Sequence, residues 1–252
     1  VLSLRGVLRP DALRVAIVGA RNGTPEGLEI AYDLALGLAA AGIVVVSGLA
    51  RGIDTAAHEG ALAAGGETLA VLGSGLQRVY PKRNIGLARR IERQGAVISE
   101  FSPFTEPRKH TFPQRNRIVT GLSEAVVVVQ AGPRSGALLS ADFALQQGRE
   151  LCAVPGSVRH PLAQGTNDLL KDGAHLVTCT QDVLDLVQGV AAPTAPTETL
   201  ALRILEALDA GAPSHELPGQ LGISHEELQR ALARLELGGH VRATLTGYVG
   251  AG

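Results

Sequence analysis

Residues 15–24 read VAIVGARNGT, a short apolar run followed by a loop of small and polar residues and then by a helical pattern. This order recurs along the chain. The further apolar runs are IVVV (43–46), TLAVL (68–72), AVIS (96–99), AVVVV (125–129) and LCAV (151–154). Strands that are apolar throughout and alternate with helices are typical of a parallel sheet covered on both faces. The sequence therefore predicts an α/β fold with a Rossmann-like parallel sheet.

Helical patterns separate these runs, and small-residue loops follow the runs directly. We predict helices over residues 26–41, 55–64, 84–94, 136–147 and 167–171. The loops are GAR (19–21), SG (47–48), GSG (73–75), AGPRSG (131–136) and PG (155–156). Because the carboxyl ends of parallel strands form the ligand crevice of such a sheet, we expect these loops to meet at one edge.

The composition is that of a globular protein. Its 252 residues carry a net charge of -1, with 45% apolar and 19% charged residues. No apolar run reaches the roughly 18 residues that a membrane helix requires. Cys152 and Cys179 lack the paired spacing of a zinc site. We expect a soluble cytoplasmic protein without a metal or cofactor. Because the chain opens on Val1 rather than Met, we also expect that an N-terminal portion has been removed.

A change in composition divides the chain. Residues 189–199, GVAAPTAPTET, suit a linker between a Rossmann-like domain (1–188) and a second domain (200–252). The second domain is predicted to form a winged helix, with helices at 200–208, 216–221 and 224–237 and a hairpin at 241–249. From residue 193 onward the chain carries four Arg and seven acids. A helix that approaches duplex phosphates should be basic, so we expect this domain to contact protein rather than duplex DNA.

The segment that points most directly to function is RKHTFPQRNR (108–117), which has four positive charges, one Phe and no acid. Cations around an aromatic ring, beside Gly/Ser-rich loops, can hold phosphates while stacking a base. A solvated basic loop is the alternative interpretation. Phe101, Phe104 and Phe112 lie close together in the sequence, which concentrates aromatic surface beside this segment.

Three loops offer further groups to an anion. The first contains Arg21 where a dinucleotide-binding loop needs its second glycine, which argues against NAD. The second, SGLARGID (47–54), offers backbone amides and the planar guanidinium of Arg51 to a phosphate. The third, GPRSG (132–136), offers amides and the hydroxyl of Ser135, or is a strained turn that needs glycine.

No catalytic group is evident in the sequence. Asp54 and His58 stand four residues apart, as an acid/base pair could, but a helix-capping Asp and a packed His are the favoured interpretation. The chain has no Walker lysine, no nucleophile elbow and no metal-binding motif. The sequence therefore predicts a phosphate-binding crevice in a protein that is not an enzyme.

Several stretches of the chain together resemble the DprA/Smf family of DNA-processing proteins. They are VAIVGAR (15–21), SGLARGIDTAAHEGAL (47–62), AVLGSGLQRVYPKRN (70–84), ISEF (98–101), FPQRNRIVTGLS (112–123), SGALLSADFALQQGR (135–149) and VPG (154–156). The stretches run in family order through about residue 185. SGLARGID combined with FPxRNR is highly specific for the family.

This resemblance implies an extended Rossmann domain that binds single-stranded DNA and protects it, forms a homodimer and loads a RecA-type recombinase in natural transformation. It implies that Arg51, Lys109 and Phe112 grip the strand. The remaining candidate DNA-binding residues are Arg21, Ser47, Gly48, Arg115, Arg117, Ser135 and Gly136. Among these, Ser47, Gly48, Ser135 and Gly136 are expected to provide backbone cradles, and Arg115 and Arg117 could instead brace the loop. Many members carry a C-terminal winged helix.

Two other functions stay open. Nucleotide phosphoribohydrolases of the lysine-decarboxylase-like superfamily share the Rossmann core and use a Glu in PGGxGTxxE. The corresponding loop here is AGPRSGALLSADF (131–143), with Ala141 or Asp142 near the place of that Glu, which argues against hydrolysis. A transcription factor is the third interpretation, and it rests on the winged helix alone.

Overall fold

The computed structural model describes residues 1–188 and parts of the C-terminal region. The described C-terminal residues are 203–208, 212–213, 217–223, 228, 231–232, 235, 241–244 and 247–250. The chain divides into two compact units, Val1–Gln188 and Gly189–Gly252. The predicted linker at 189–199 lies outside the described residues.

An eight-stranded sheet forms the centre of the first unit. Its strands are β1 (Ser3–Gly6), β2 (Arg14–Val18), β3 (Val44–Ser47), β4 (Thr68–Val71), β5 (Ala96–Ser99), β6 (Ala125–Val128), β7 (Glu150–Ala153) and β8 (His175–Leu176). The strand order is β1-β5-β4-β3-β2-β6-β7-β8. All neighbours pair in parallel except β1, which is antiparallel to β5. The predicted α/β fold and parallel sheet are confirmed, and an antiparallel edge strand is a common addition to such sheets.

This unit contains seven helices, six of them between strands and the last one after β8. They are α1 (Pro25–Ala40), α2 (Ile53–Ala63), α3 (Ile85–Gln94), α4 (Thr111–Gly121), α5 (Gly136–Gln146), α6 (Gln164–Lys171) and α7 (Thr180–Val187). Two short 3-10 turns, Lys82–Asn84 and Pro161–Ala163, precede α3 and α6. The sequence patterns predicted neither α4 nor α7.

Alternate strand residues point to opposite faces of the sheet and build two separate cores. Val15 and Ile17 of β2 pack in one buried cluster with α1, α2 and α7. Ala16 and Val18 pack in another cluster with α4 and α5. Helix α3 has its own cluster, in which Ile91 packs near the β4 and β5 end of the sheet. Both faces are therefore covered, which explains why the strands are apolar along their whole length.

Helix α4 corrects the expectation that residues 108–117 form a loop. The helix begins at Thr111, so the segment from Phe112 to Arg117 occupies its first two turns. Pro113 is the third residue of this helix. Proline is tolerated in the first turn of a helix, because the amide that it lacks would have no partner within the helix.

The strand order reverses beside β2, and this reversal positions the candidate site. The chain runs from β2 through β3, β4 and β5 in one direction and then returns to place β6 on the other side of β2. In open α/β sheets, ligands bind outside the carboxyl ends of the strands at such a reversal. The loops after β2, β3 and β6 meet there.

The second unit is small and is described only in part. It contains the helix α8 (Leu217–Leu221) and an antiparallel hairpin of β9 (Val241–Thr244) and β10 (Gly247–Gly250). Its buried cluster includes Ile204, Leu217 and Leu232. Most of the predicted helix at 224–237, including Arg230 and Arg234, lies outside the described residues, and the winged helix stays a prediction. In the described part of the chain, no helix is both long and apolar enough to span a membrane.

Candidate nucleic-acid interface

A cavity of about 800 Å³ opens at the carboxyl ends of β2, β3 and β6. Gly19, Gly48 and Gly132 line it, one from the loop after each of these strands. Pro113 and Asn116 of α4 and the first residues of α5 complete the wall. The loops after β2, β3 and β6 therefore meet at one edge of the sheet, as the sequence predicts.

Cations predominate among the charged groups of this cavity. Three exposed cations, Arg21, Lys109 and Arg134, line it together with the buried Arg115. Among the described residues of the lining, Asp54 is the only acid, and it is buried. The electrostatic environment of the cavity therefore favours an anion.

A smaller cavity of about 280 Å³ adjoins the first. The two share Arg21, Tyr80 and Phe112, and the smaller one adds Arg51 and Pro81. The Arg51 guanidinium is exposed and donates a hydrogen bond to the side-chain oxygen of Asn22. This contact connects the loop after β3 with the loop after β2.

Phe112 lies between the two cavities and has a cation and a second ring beside it. The guanidinium carbon of Arg21 lies 5.1 Å from the centre of the Phe112 ring. The Tyr80 ring centre lies 5.7 Å from that of Phe112, with an angle of 49° between the rings. A β-carbon on Gly73 would lie 2.7 Å from Cδ1 of Phe112, so the loop after β4 packs directly against the ring.

Tyr80, which is 48% exposed, was not among the predicted site residues. Its place in YPKRN, directly before a proline and two cations, is a sequence signal that could have identified it.

Arg115 differs from the other cations because it is buried. Its Nη1 donates a 2.8 Å hydrogen bond to the carbonyl oxygen of Val71, at the end of β4. A β-carbon on Gly48 would lie 1.6 Å from Nη1, so only glycine fits against the guanidinium. Burial lowers the pKa of Arg115, and the nearby carboxyl of Asp54 acts in the opposite direction. Arg115 therefore holds the ends of β3 and β4 together from beneath the cavity.

Asp54 and His58 do not form an acid/base pair. Helix α2 begins at Ile53, and the Asp54 carboxylate accepts a hydrogen bond of 3.2 Å from the amide of Ala50 instead of capping the helix. Burial raises the pKa of Asp54, and Arg115 partly offsets this effect. His58 is buried with Nδ1 at 2.7 Å from the hydroxyl of Thr68, and burial lowers its pKa to about 3. His58 is therefore a packed, neutral side chain, and the expected cap is corrected to a bond with the preceding loop.

The loop after β3 is held in a conformation that most sequences avoid. Leu49 has a φ of 59° and Gly52 a φ of 77°. A β-carbon on Gly52 would lie 2.3 Å from the carbonyl oxygen of Ala20, which requires glycine there. Asn84 donates a 2.9 Å hydrogen bond to the carbonyl oxygen of Leu49. The loop that carries Arg51 is thus fixed from two sides.

Helix α5 brings its amino-terminal end to the cavity. Ser135 caps it, its hydroxyl accepting a 3.2 Å hydrogen bond from the amide of Ala137. Gly136 is the first helical residue, and both line the cavity. Helix α4 also begins beside the cavity, so the positive ends of two helix dipoles act on it. Further along α5, Ala141 is buried and Asp142 is exposed, and neither lines the cavity.

Two predicted residues lie elsewhere. The hydroxyl of Ser47 is buried and donates a 2.6 Å hydrogen bond to the carbonyl oxygen of Ile17, within the sheet. Arg117 forms an ion pair with Glu100. Neither lines either cavity. The residues that the structure brings together are Arg21, Gly48, Arg51, Lys109, Phe112, Arg115, Ser135 and Gly136. Arg134 joins them as a cavity residue that was not predicted.

The described residues offer no metal site. Within them, no group of three or more His, Cys, Asp or Glu side chains could hold a metal ion. The groups available at the cavity are cations, amides, hydroxyls and aromatic rings. This set suits the binding of phosphates and bases.

Known proteins are similar to this chain in sequence and in fold. Residues 1–188 match the family model described as DNA recombination-mediator protein A. The chain is 45% identical over 171 residues to DNA processing protein DprA of Streptococcus pneumoniae, covering 68% of this chain and 60% of that relative. It is 38% identical over 253 residues to protein Smf of Escherichia coli, covering 94% of this chain and 68% of the relative.

A solved structure supports the same relationship. DNA processing protein A from Helicobacter pylori, studied for its mode of binding single-stranded DNA, has a TM-score of 0.67 and 32% identity. That match covers 74% of this chain and 86% of the other. The chain spans 60% and 58% of the lengths of the curated S. pneumoniae and Bacillus subtilis relatives. Since the family model matches most of the chain and the resemblance to DprA/Smf is confirmed, this chain belongs to the DNA recombination-mediator protein A family.

Proposed function

We propose that the Val1–Gln188 unit binds single-stranded DNA, without enzymatic activity, in the cavity at the carboxyl ends of β2, β3 and β6. The observation that carries this proposal is the position of Phe112 between the two cavities. Arg21 lies beside its ring, Lys109 lines the larger cavity and Arg51 lines the smaller one. The cations hold successive phosphates, and the ring of Phe112 stacks on a base. Tyr80 offers a second ring beside it.

The same arrangement favours a single strand over a duplex. A base can stack on a protein ring only when its face is free, and the bases of a duplex already stack on each other. The cavity is concave, and Phe112 is half-buried in its wall. The H. pylori relative, which was studied for its binding of single-stranded DNA, supports this choice.

The proposal is tested by titrating labelled oligothymidylate into Arg51→Ala, Lys109→Ala and Phe112→Ala. Each lost phosphate contact should flatten the slope of log K against log salt by about 0.7, and we expect this of Arg51→Ala and Lys109→Ala. Phe112→Ala should cost about 1–3 kcal/mol of binding free energy and leave the slope unchanged. Phe112→Leu keeps the packing against Gly73 but removes the aromatic face, and so separates stacking from folding. Unchanged binding by all the variants would refute the site.

We propose three finer features of this function. The protein protects incoming DNA in the cytoplasm and loads a RecA-type recombinase onto it during natural transformation, which the family's description as a recombination mediator supports. Recombinase filaments should form faster on DNA coated with a single-strand-binding protein when this chain is added.

The C-terminal unit contacts a protein rather than duplex DNA. Removing residues 193–252 should then leave oligonucleotide binding unchanged.

We also propose that the chain acts as a homodimer. One aromatic ring and a few phosphate contacts give moderate affinity, and joining two such sites raises it. The β8 edge of the sheet is open in the described unit, and Leu176 on it is 56% exposed. Leu176→Glu should therefore yield monomers by light scattering. An unchanged mass would exclude this edge as the dimer face.

The alternative, a nucleotide phosphoribohydrolase, is tested separately. The one acid among the described residues that line the cavity, Asp54, is buried and bonded to a backbone amide, so it is poorly placed to act on a substrate. Incubation with nucleoside monophosphates should release no free base. Release of base that is lost in Asp54→Asn would support the enzyme instead.

A further inference from the structure

Helix α3 and the 3-10 turn before it carry a second basic segment. Residues 82–93, which we call the α3 segment, contain five Lys or Arg and one Glu, a net charge of +4 in a chain of net charge -1. Leu87, Ala88 and Ile91 face the core. The five cations of the segment are all exposed and are Lys82, Arg83, Arg89, Arg90 and Arg93. The helix therefore presents a basic outer face.

Most of this charge is not neutralised by the protein. Arg90 pairs with Glu59 at 2.7 Å, and Glu92 pairs with Arg5 at 3.8 Å. In the described part of the chain, the other four cations of the segment have no carboxylate within 4.0 Å. Arg89 and Arg93 are four residues apart on one helix, where like charges destabilise it. This repulsion opposes the favourable interaction of Arg93, in the last turn, with the helix dipole.

The α3 segment starts where the smaller cavity ends. Tyr80 and Pro81 line that cavity together with Arg51, and Lys82 follows them directly. Asn84 is buried, and its side-chain amide donates 2.9 Å hydrogen bonds to the Leu49 carbonyl oxygen and the Thr55 hydroxyl. The turn is thus attached to the loop that carries Arg51. From there the 10 residues of α3 extend about 15 Å away from the cavity.

We propose that a single strand leaving the cavity past Arg51 continues along the 3-10 turn and then along the outer face of α3. Lys82 and Arg83 of the turn and Arg89 and Arg93 of the helix meet its phosphates. This inference rests on the proposed function, and it adds a second binding surface to it. The face fits a polyanion better than an acidic protein surface. Protein interfaces centre on buried aromatic or apolar anchors, and this face offers cations with only Ile85 partly exposed, at 38%.

The test compares a short and a long oligothymidylate, of about 6 and about 24 nucleotides, which bracket the ~4–16 nucleotides that a single-strand-binding module typically covers. The variant is Arg89→Gln/Arg93→Gln, whose positions are exposed. With the long strand, its affinity at about 0.1 M salt should fall about tenfold, and the salt slope should flatten by about 1.4. With the short strand, its affinity should equal that of the wild type.

A charge-matched control is Arg9→Gln/Lys171→Gln. It removes two exposed cations from the β1–β2 loop and from α6, and it should bind both strands as the wild type does. Adding Lys82→Gln and Arg83→Gln to the α3 variant should weaken long-strand binding further.

The outcomes separate this inference from the proposed function. The α3 variant could bind both oligonucleotides with wild-type affinity while Arg51→Ala lowers the affinity for both. In that case the DNA does not run along the α3 surface, and an acidic protein surface is the alternative partner. Equal weakening with the short strand would also overturn the inference, because the effect would then reach the cavity. If the wild type binds neither strand, the proposed function itself fails.

Discussion

The α3 segment and the α4 segment, residues 108–117, have the same formal charge and use it differently. Each sums to +4 with His110 neutral. In the α4 segment, Arg115 is buried in the cavity wall and Arg117 is paired with Glu100. Arg108 and Lys109 are its two exposed cations without a carboxylate near them in the described structure, and of these only Lys109 lines the cavity. In the α3 segment, four cations face solvent without a carboxylate near them in the described structure. Net charge in a sequence therefore does not measure the charge that a ligand meets.

The difference arises from where each helix packs. Helix α4 begins between the loop after β4 and the start of α5, and Arg115 on its inner side reaches the end of β4. Helix α3 lies near the edge of the sheet and buries only its apolar side. A buried cation organises its surroundings, whereas an exposed one is available to a polyanion. Variants of the two helices should therefore differ in stability and in oligonucleotide binding.

Removing the buried cation should have the largest effect on stability. Arg115→Met removes the hydrogen bond to the Val71 carbonyl oxygen and the cation that acts most strongly on the buried Asp54, and it should cost about 3 kcal/mol of the free energy of unfolding. Burial holds the pKa of Asp54 above its usual range, and the loss of Arg115 should raise that pKa further. When a carboxyl has a higher pKa in the folded protein than in the unfolded chain, the free energy of unfolding falls as the pH rises from the unfolded-state pKa through the folded-state pKa.

The cost of Arg115→Met should therefore be smaller at about pH 5 than at about pH 8, as measured by urea unfolding of both proteins. Asp54→Asn in the same background removes the unpaired charge and should restore part of the lost stability. An equal cost at both pH values, with no recovery in the double variant, would contradict the role of Arg115 as the partner of Asp54.

Two glycines, Gly48 against Arg115 and Gly86 on α3, test the same contrast at the backbone. Gly48→Ala places a β-carbon 1.6 Å from Nη1 of Arg115, so it should destabilise the protein by about 1–3 kcal/mol and weaken oligonucleotide binding. Gly86→Ala on α3 meets no atom within 4 Å and should be neutral or stabilising by up to about 1 kcal/mol. Thermal unfolding and titration of both variants measure this. A stable Gly48→Ala protein with normal binding would show that the guanidinium can move without consequence.

The smallest effect is expected at Arg117. Its ion pair with Glu100 is exposed, with side-chain accessibilities of 50% and 22%, and such pairs contribute about 0–1 kcal/mol. Arg117→Gln should therefore change neither the melting temperature nor oligonucleotide affinity by much. Lys109→Gln, in the same segment, is the comparison and should weaken binding. If Arg117→Gln weakens binding as strongly as Lys109→Gln, the ion pair opens to admit DNA.

Most of the sheet could be predicted because its strands are buried on both faces and so consist of uninterrupted apolar runs. The edge strands β1 and β8 lack this pattern, since each pairs on one side only and their Leu4 and Leu176 are exposed. Helix α4 was missed for a different reason. Its inward residues include the polar Thr111 and Arg115, so it does not show the apolar periodicity by which amphipathic helices are recognised.

The site was predictable to the level of its loops and motifs. The motifs placed Arg51, Lys109 and Phe112 at the ligand edge, and the structure brings all three to the two cavities. The partners of individual side chains were not predictable. Ser47 bonds to Ile17 and Arg117 pairs with Glu100, and these neighbours are distant in the sequence.

By itself, the sequence determined the parallel α/β sheet, the family and the edge at which the loops meet, because these depend on local patterns of apolar and small residues. Only the tertiary structure decided which of the cations are free. Arg115 is buried against the glycine at position 48 and acts on the charge of Asp54, and both lie about sixty residues earlier in the chain. The desolvation and pairing of a charge depend on all neighbours in space, and chain order does not specify them.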